Sequence, residues 1–84
     1  MQTNKNTFST DSFVLASYLL CESFNLISID RTNPRRMVFV FDDTVNRPSL
    51  VELFFSYKAQ IEPNRFYSAQ RNLKQLIYQN ERSL

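Results

Sequence analysis

The spacing of apolar positions divides the chain into helical and extended stretches. Between residues 8 and 24, Phe13, Leu20 and Phe24 recur on one helical face and Val14, Tyr18 and Cys21 on the next, which leaves Ser12, Glu22 and Ser23 outside. Phe8-Ser9-Thr10-Asp11 predicts how this helix starts. With Ser9 as N-cap, Phe8 and Phe13 stand at the spacing of a hydrophobic staple, and Asp11 falls in the first turn, where the helix dipole favours an anion. Asn25 is the expected stop.

From Leu26 to Arg31 the rhythm changes to alternation, with Ile27 and Ile29 on one side and Ser28 and Asp30 on the other. Met37 to Phe41 is apolar on both sides. Asn33-Pro34-Arg35-Arg36 between them suits a type I turn, so the two stretches form a hairpin. A two-stranded ribbon is marginal alone, and helices must cover at least one of its faces. Pro48 and Pro63 are the expected N1 residues of two further helices reaching about Lys58 and Gln79, with Ala59 to Glu62 extended or a bend between them. The predicted order is helix, β-hairpin, helix, helix. That is an α+β fold in a single small domain over residues 1–84, ordered from about 8 to 79 with frayed ends.

Composition sharpens this picture at two points. There is no glycine in the chain, so left-handed backbone positions are expected at Asn25 and Asn46. A domain of 84 residues buries only about 60–65% of its unfolded surface, and eight Phe and four Tyr are the material for a dense core with some left over for a partner.

The formal charge is +2, far from that of a strongly basic nucleic-acid coat protein. Its distribution is uneven. Residues 1–24 carry Lys5 against Asp11 and Glu22, whereas residues 48–84 carry Lys58, Arg65, Arg71, Lys74 and Arg82 against Glu52, Glu62 and Glu81. Any electropositive surface therefore belongs to the hairpin and the C-terminal half.

A lone Cys21 and the absence of histidine leave no intramolecular disulfide, no zinc-type cluster and no imidazole for acid–base work. The apolar run from Phe13 to Cys21 is too short to span a bilayer. As a lipoprotein signal it fails, because Leu20 stands where a small residue should precede the cysteine and Asp11 interrupts the approach. A cytoplasmic protein with no membrane partner is the expectation.

Catalytic chemistry finds little support. Adjacent Asp42 and Asp43 would point to opposite faces of a strand and read as the turn after it. The serines lack their usual base, and Cys21 sits on the apolar arc of the first helix as an inert thiol. The expectation is no enzyme, no cofactor and no metal.

Two surfaces are candidates for binding instead. In the third helix Phe66, Ala69, Leu73, Leu76 and Ile77 form a core stripe, and a second stripe reads Tyr67, Arg71, Lys74, Tyr78, Arg82. Cations neutralise phosphates and rings stack on bases, which suits a nucleic-acid groove; the same pattern also describes a solvated face whose long side chains cover the edge of the core. Arg31, Arg35, Arg36 and Arg47 surround the hairpin tip and extend the basic surface if the tip lies beside the third helix. Otherwise they solubilise a turn. The second helix carries Leu50, Val51, Leu53, Phe54, Phe55 and Tyr57 around nearly its whole circumference, more than a short helix usually buries.

The motifs Phe8-x-Thr10-Asp11, Ala16-x-Tyr18-Leu19-Leu20-Cys21, Val38-Phe39-Val40-Phe41-Asp42, Pro63-x-Arg65-Phe66 and Leu73-Lys74-x-Leu76-Ile77-Tyr78 make the chain resemble a family of small bacterial and phage proteins, a domain of unknown function. The resemblance covers Phe8 to Tyr78. Its members often carry a glycine soon after the cysteine, where Ser23 and Asn25 stand here. It implies a non-secreted protein, from a phage or mobile element, and transfers no catalytic residue.

The leading expectation is a non-catalytic binding module that contacts DNA or RNA through Tyr67, Arg71, Lys74 and Tyr78, with Arg35 and Arg36 as auxiliary phosphate contacts. The alternative is a protein-interaction or regulatory module, a homodimer or an adaptor on a larger partner, acting through Leu50, Phe54 and Phe55.

Overall fold

Alternation rather than helical spacing governs the first element. The structure, a computed structural model, describes residues 6–82. Strand β1, Thr7–Thr10, pairs antiparallel with the later strand β3, Arg36–Asp42, in the register Phe8↔Phe41, Ser9↔Val40, Thr10↔Phe39. Phe8 and Thr10 turn inward while Thr7 and Ser9 face solvent. Ser9 is therefore a strand residue. The N-cap of helix α1, Phe13–Cys21, is Ser12, whose Oγ accepts the Leu15 N–H at 3.0 Å. Backbone pairing with β3 satisfies the groups that an earlier helix start would have left to a single cap, and Ser12 offers the same capping oxygen three positions on. Of the expected frayed ends, residues 1–5 and 83–84 lie outside the described residues.

Helix α1 stops short of Asn25. The Ser23 N–H bonds to the Leu20 carbonyl and the Phe24 N–H to the Leu19 carbonyl, both at 3.0 Å, which is a Schellman closure with Ser23 in the left-handed region at φ 69°. The same closure ends helix α2, Arg47–Phe55: the Tyr57 N–H reaches the Phe54 carbonyl, the Lys58 N–H reaches the Leu53 carbonyl, and Tyr57 has φ 63°. Asn46 has φ −92° and caps α2. In a chain without glycine the left-handed positions fall on a serine and a tyrosine. Asn25 instead donates from Nδ2 to the Asp42 carboxylate at 2.7 Å.

Strand β2, Leu26–Asn33, flanks the other side of β3, giving the sheet order β1-β3-β2. The register slips between Leu26 and Ser28, so Leu26 pairs with Phe41 and Ile29 with Phe39. This bulge turns Leu26 and Ile29 to the core side and leaves Ile27 exposed, whereas strict alternation put Ile27 and Ile29 together. The turn forms as expected, the Asn33 Oδ1 accepting the Arg35 N–H at 3.0 Å.

Helix α3, Pro63–Arg82, crosses α1. The Glu62 carboxylate takes the Arg65 N–H at 3.0 Å and the Glu62 carbonyl takes that of Phe66, so Glu62 caps the helix. Helices cover one face of the sheet in a slab of 39 × 38 × 21 Å, the thickness of two layers. The core joins Leu15, Ala16, Tyr18 and Leu19 of α1, Phe24, Phe39 and Phe41 of the hairpin region and Leu73 of α3. Buried Ser17 satisfies its hydroxyl on the Phe13 carbonyl at 2.9 Å. Phe66, Ala69, Leu73 and Ile77 make the inward stripe of α3, while Leu76 remains partly exposed at its margin.

Candidate nucleic-acid interface

Helix α3 turns one side to the core and leaves the other bare. Tyr67, Arg71, Lys74 and Tyr78 follow one another at helical spacing along that bare side, with Tyr67 59% and Tyr78 58% exposed and both cations in solvent. The Arg71 guanidinium carbon lies 5.9 Å from the centre of the Tyr67 ring, a cation–π contact that keeps the charge outward. Phe13, the first residue of α1, meets Tyr67, Gln70, Arg71 and Lys74 around a small depression. Arg82, the last member of the predicted row, has a side chain outside the described set.

The cations of the hairpin, with Arg47 of α2 and Arg65 of α3, divide into those the fold employs and those it does not. Arg31 points to the helical layer and donates to the Ile77 carbonyl of α3 at 2.7 Å, so the distal half of the hairpin lies beside the last turns of α3. Arg36 is bound to Asp11 at 2.7 Å, with both side chains half or more exposed, and holds that carboxyl below its ordinary range. Arg47 grips Asp43 with two hydrogen bonds of 2.9 and 3.1 Å while its guanidinium carbon sits 4.4 Å above the Phe8 ring. Arg65 donates to the Cys21 carbonyl at 2.7 Å and so covers the C-terminal end of α1. Arg35, at the turn, is exposed. Among the described residues, Arg35, Lys58, Arg71 and Lys74 have no carboxylate partner.

Sequence reading for rings and cations passed over the crest of the same helix. Asn64, Ser68, Asn72 and Gln75 are exposed and their side chains make no hydrogen bond within the described residues. Pro63 to Gln79 contains no aspartate or glutamate at all. That absence was the readable signal, because a solvated helix surface ordinarily mixes charges of both signs.

The alternative surface is α2. None of its residues is buried. Leu50, Val51 and Phe54 lean on the core, the Phe54 ring stacking on Tyr18 at 5.6 Å between centroids and meeting Phe55 edge-on at 5.2 Å. Phe55 is 64% exposed, Leu53 is partly exposed, and Tyr57 at the left-handed position is 96% exposed. Of the three predicted contact residues, only Phe55 faces solvent.

Cys21 is buried, its thiol directed at the Arg65 carbonyl at 3.4 Å, and burial pushes its pKa up, so it stays a thiol. No group of three or more carboxylates and cysteines gathers among the described residues to hold a metal ion, and no described helix is long and apolar enough to cross a membrane.

These features define a small two-layer α+β domain with one polar helix face that carries no carboxylate from Pro63 to Gln79 and one partly exposed apolar helix. The chain belongs to the family described as Domain of unknown function (DUF5659), which matches residues 5–79. Comparison with curated proteins and with solved structures finds no match to either.

Proposed function

We propose that this domain binds nucleic acid through the outer side of α3. The observation that carries the reading is the row Tyr67, Arg71, Lys74, Tyr78: two cations with no carboxylate partner among the described residues, set between two half-exposed rings on a helix with no carboxylate from Pro63 to Gln79. Such a row neutralises phosphates with its charges and offers its rings to bases or sugars. Arg35 adds a third uncommitted cation at the hairpin turn, and the Arg31 bond to Ile77 keeps the hairpin against α3. Arg36 is the weaker auxiliary, since releasing it to a phosphate costs the Asp11 pair.

Fluorescence anisotropy against mixed DNA and RNA oligonucleotides at increasing salt tests this. With two or three phosphates neutralised, log K falls against log salt with a slope of about −2 to −3. Arg71→Ala combined with Lys74→Ala removes most of that dependence. Binding that ignores salt, or no binding at low salt, overturns the reading.

A second reading is favoured by α2, whose Phe55 and Leu53 stay in water next to a fully exposed Tyr57. Exposed apolar clusters of this kind mark protein contacts, with a second copy or a larger partner. Phe55→Glu changes only an exposed position, so loss of self-association in light scattering with unchanged stability would establish this contact. A monomer for both proteins removes the homodimer form of it.

A further inference from the structure

We infer that the nucleic acid taken by this domain is duplex DNA, with α3 lying in the major groove and the amides of its crest reading base edges. The inference rests on the proposed binding role of α3 and assigns its ligand.

The geometry is a ridge. Asn64, Ser68, Arg71 and Gln75 succeed one another at spacings of four, three and four, which is a single line along the helix, and all four are exposed. Asn72 stands beside this line, and Ser68, Arg71, Asn72 and Gln75 together border one shallow depression. A helix of 20 residues is about 30 Å long, and the major groove, roughly 12 Å wide, admits one such rod. Among the described residues this line stays exposed: α1 meets α3 along Phe13 on one flank, on the other Asn64, Ser68 and Asn72 border an open cleft with Leu20 and Cys21 at the end of α1, and the core lies beneath Leu73 and Ile77.

The chemistry follows the same geometry. Asn and Gln side chains offer a donor and an acceptor together, the pair that matches the N6 and N7 positions of adenine, while Arg matches guanine. They occupy the crest. Tyr67, Lys74 and Tyr78 run along one flank, at the level where a groove-bound helix meets the sugar-phosphate walls. A carboxylate on this surface opposes the approach to the duplex; Pro63 to Gln79 has none, and Glu62, beside Asn64 at the helix start, is occupied with the Arg65 N–H.

Single-stranded nucleic acid asks for a different surface. Stacking platforms present rings at the centre of a groove, with cations tracking the backbone beside them. Here the rings lie to one side and the centre is hydrogen-bonding side chains.

The test is a selection from a randomised duplex DNA pool with the full chain, followed by anisotropy with the selected duplex, unselected duplex, single-stranded DNA and double-stranded RNA. A preferred duplex sequence is expected to emerge. Gln75→Ala and Asn72→Ala should each weaken the selected duplex about tenfold while unselected duplex changes within about twofold. Lys74→Ala should weaken both alike. Both amide changes are at exposed positions, and circular dichroism confirms that the variants fold. Salt-sensitive binding with no sequence enriched and both amide variants neutral overturns the inference and leaves the electrostatic reading standing. Tighter binding to single strands or to double-stranded RNA does the same. No binding to any of the four probes at low salt overturns both.

Discussion

Among the described residues, Ser23 and Tyr57 occupy backbone space belonging to glycine. A side chain with a Cβ in the left-handed region costs about 1 kcal/mol, because the Cβ crowds the following carbonyl. Ser23→Gly and Tyr57→Gly should therefore each raise stability by about 1 kcal/mol, read as a higher urea midpoint at unchanged slope. Tyr57 is the cleaner site, since its ring touches little and its removal leaves no cavity. Capping provides a second test at this scale. Ser12→Ala should lose about 1 kcal/mol with the Leu15 N–H left unserved, and Ser9→Ala, on the solvent side of β1, should change almost nothing. Equal losses at the two serines would contradict the observed helix start.

At the scale of elements, α3 and α2 differ in how they are held. Leu73 is fully enclosed among α1 and the sheet, and Leu73→Ala should cost about 2–5 kcal/mol through lost burial and a residual cavity. Leu76→Ala, at the exposed margin of the same helix, should cost about 1 kcal/mol or less. Thermal or urea unfolding distinguishes the two, and a large loss at Leu76 would mean that α3 is seated differently. Helix α2 has no residue as enclosed as Leu73. It is attached through half-buried Leu50, Val51 and Phe54, the Tyr18–Phe54 stack and the Arg47 contacts to Asp43 and Phe8. Such an element opens at lower free energy than the core, so its amides should exchange with solvent ahead of those of α1 and α3.

The acid sensitivity of the whole molecule is set by carboxylates held in partnerships, one of which, Asp11 with Arg36, joins distant segments while Asp43 with Arg47 and Asp30 with Thr32 are local. Arg36 lowers the Asp11 carboxyl and Arg47 lowers that of Asp43, each chiefly by hydrogen bonding, and Asp30 is lowered by the Thr32 hydroxyl and N–H. A carboxyl lowered by folding adds stability that is complete above its unfolded value of about 4 and is lost as pH falls through the lower folded value. The urea midpoint should thus be flat between about pH 5 and 7 and fall below about pH 4. Asp43→Asn should be less stable than the parent at neutral pH and approach it at about pH 2, where both lack the carboxylate. A constant difference across that range would assign the loss to packing instead.

The sequence by itself determined the α+β class, the hairpin with its Asn33-Pro34 turn, the start of α3 at Pro63, the start of α2 to within one residue of Pro48, and the inward stripe of α3 apart from Leu76. Each of these is written in local spacing or in a residue whose backbone preference is strong. The rows of Tyr67, Arg71, Lys74 and Tyr78 were legible for the same reason, because spacing along one helix fixes which residues share a side. Strand β1 was hidden, since its partner Phe39 to Asp42 lies far along the chain and Ser9 and Ser12 are equally good caps on paper. The left-handed positions were hidden because no glycine marks them. The solvent side of α2 was unreadable in a helix apolar all round, where periodicity has no direction. Which cations remain uncommitted was decided by tertiary structure alone, as it brought Asp11 to Arg36 and the Ile77 carbonyl to Arg31 while leaving Arg35, Arg71 and Lys74 without carboxylate partners among the described residues. Charge is a property of each residue, but its availability depends on what the folded chain places within about 4 Å of it.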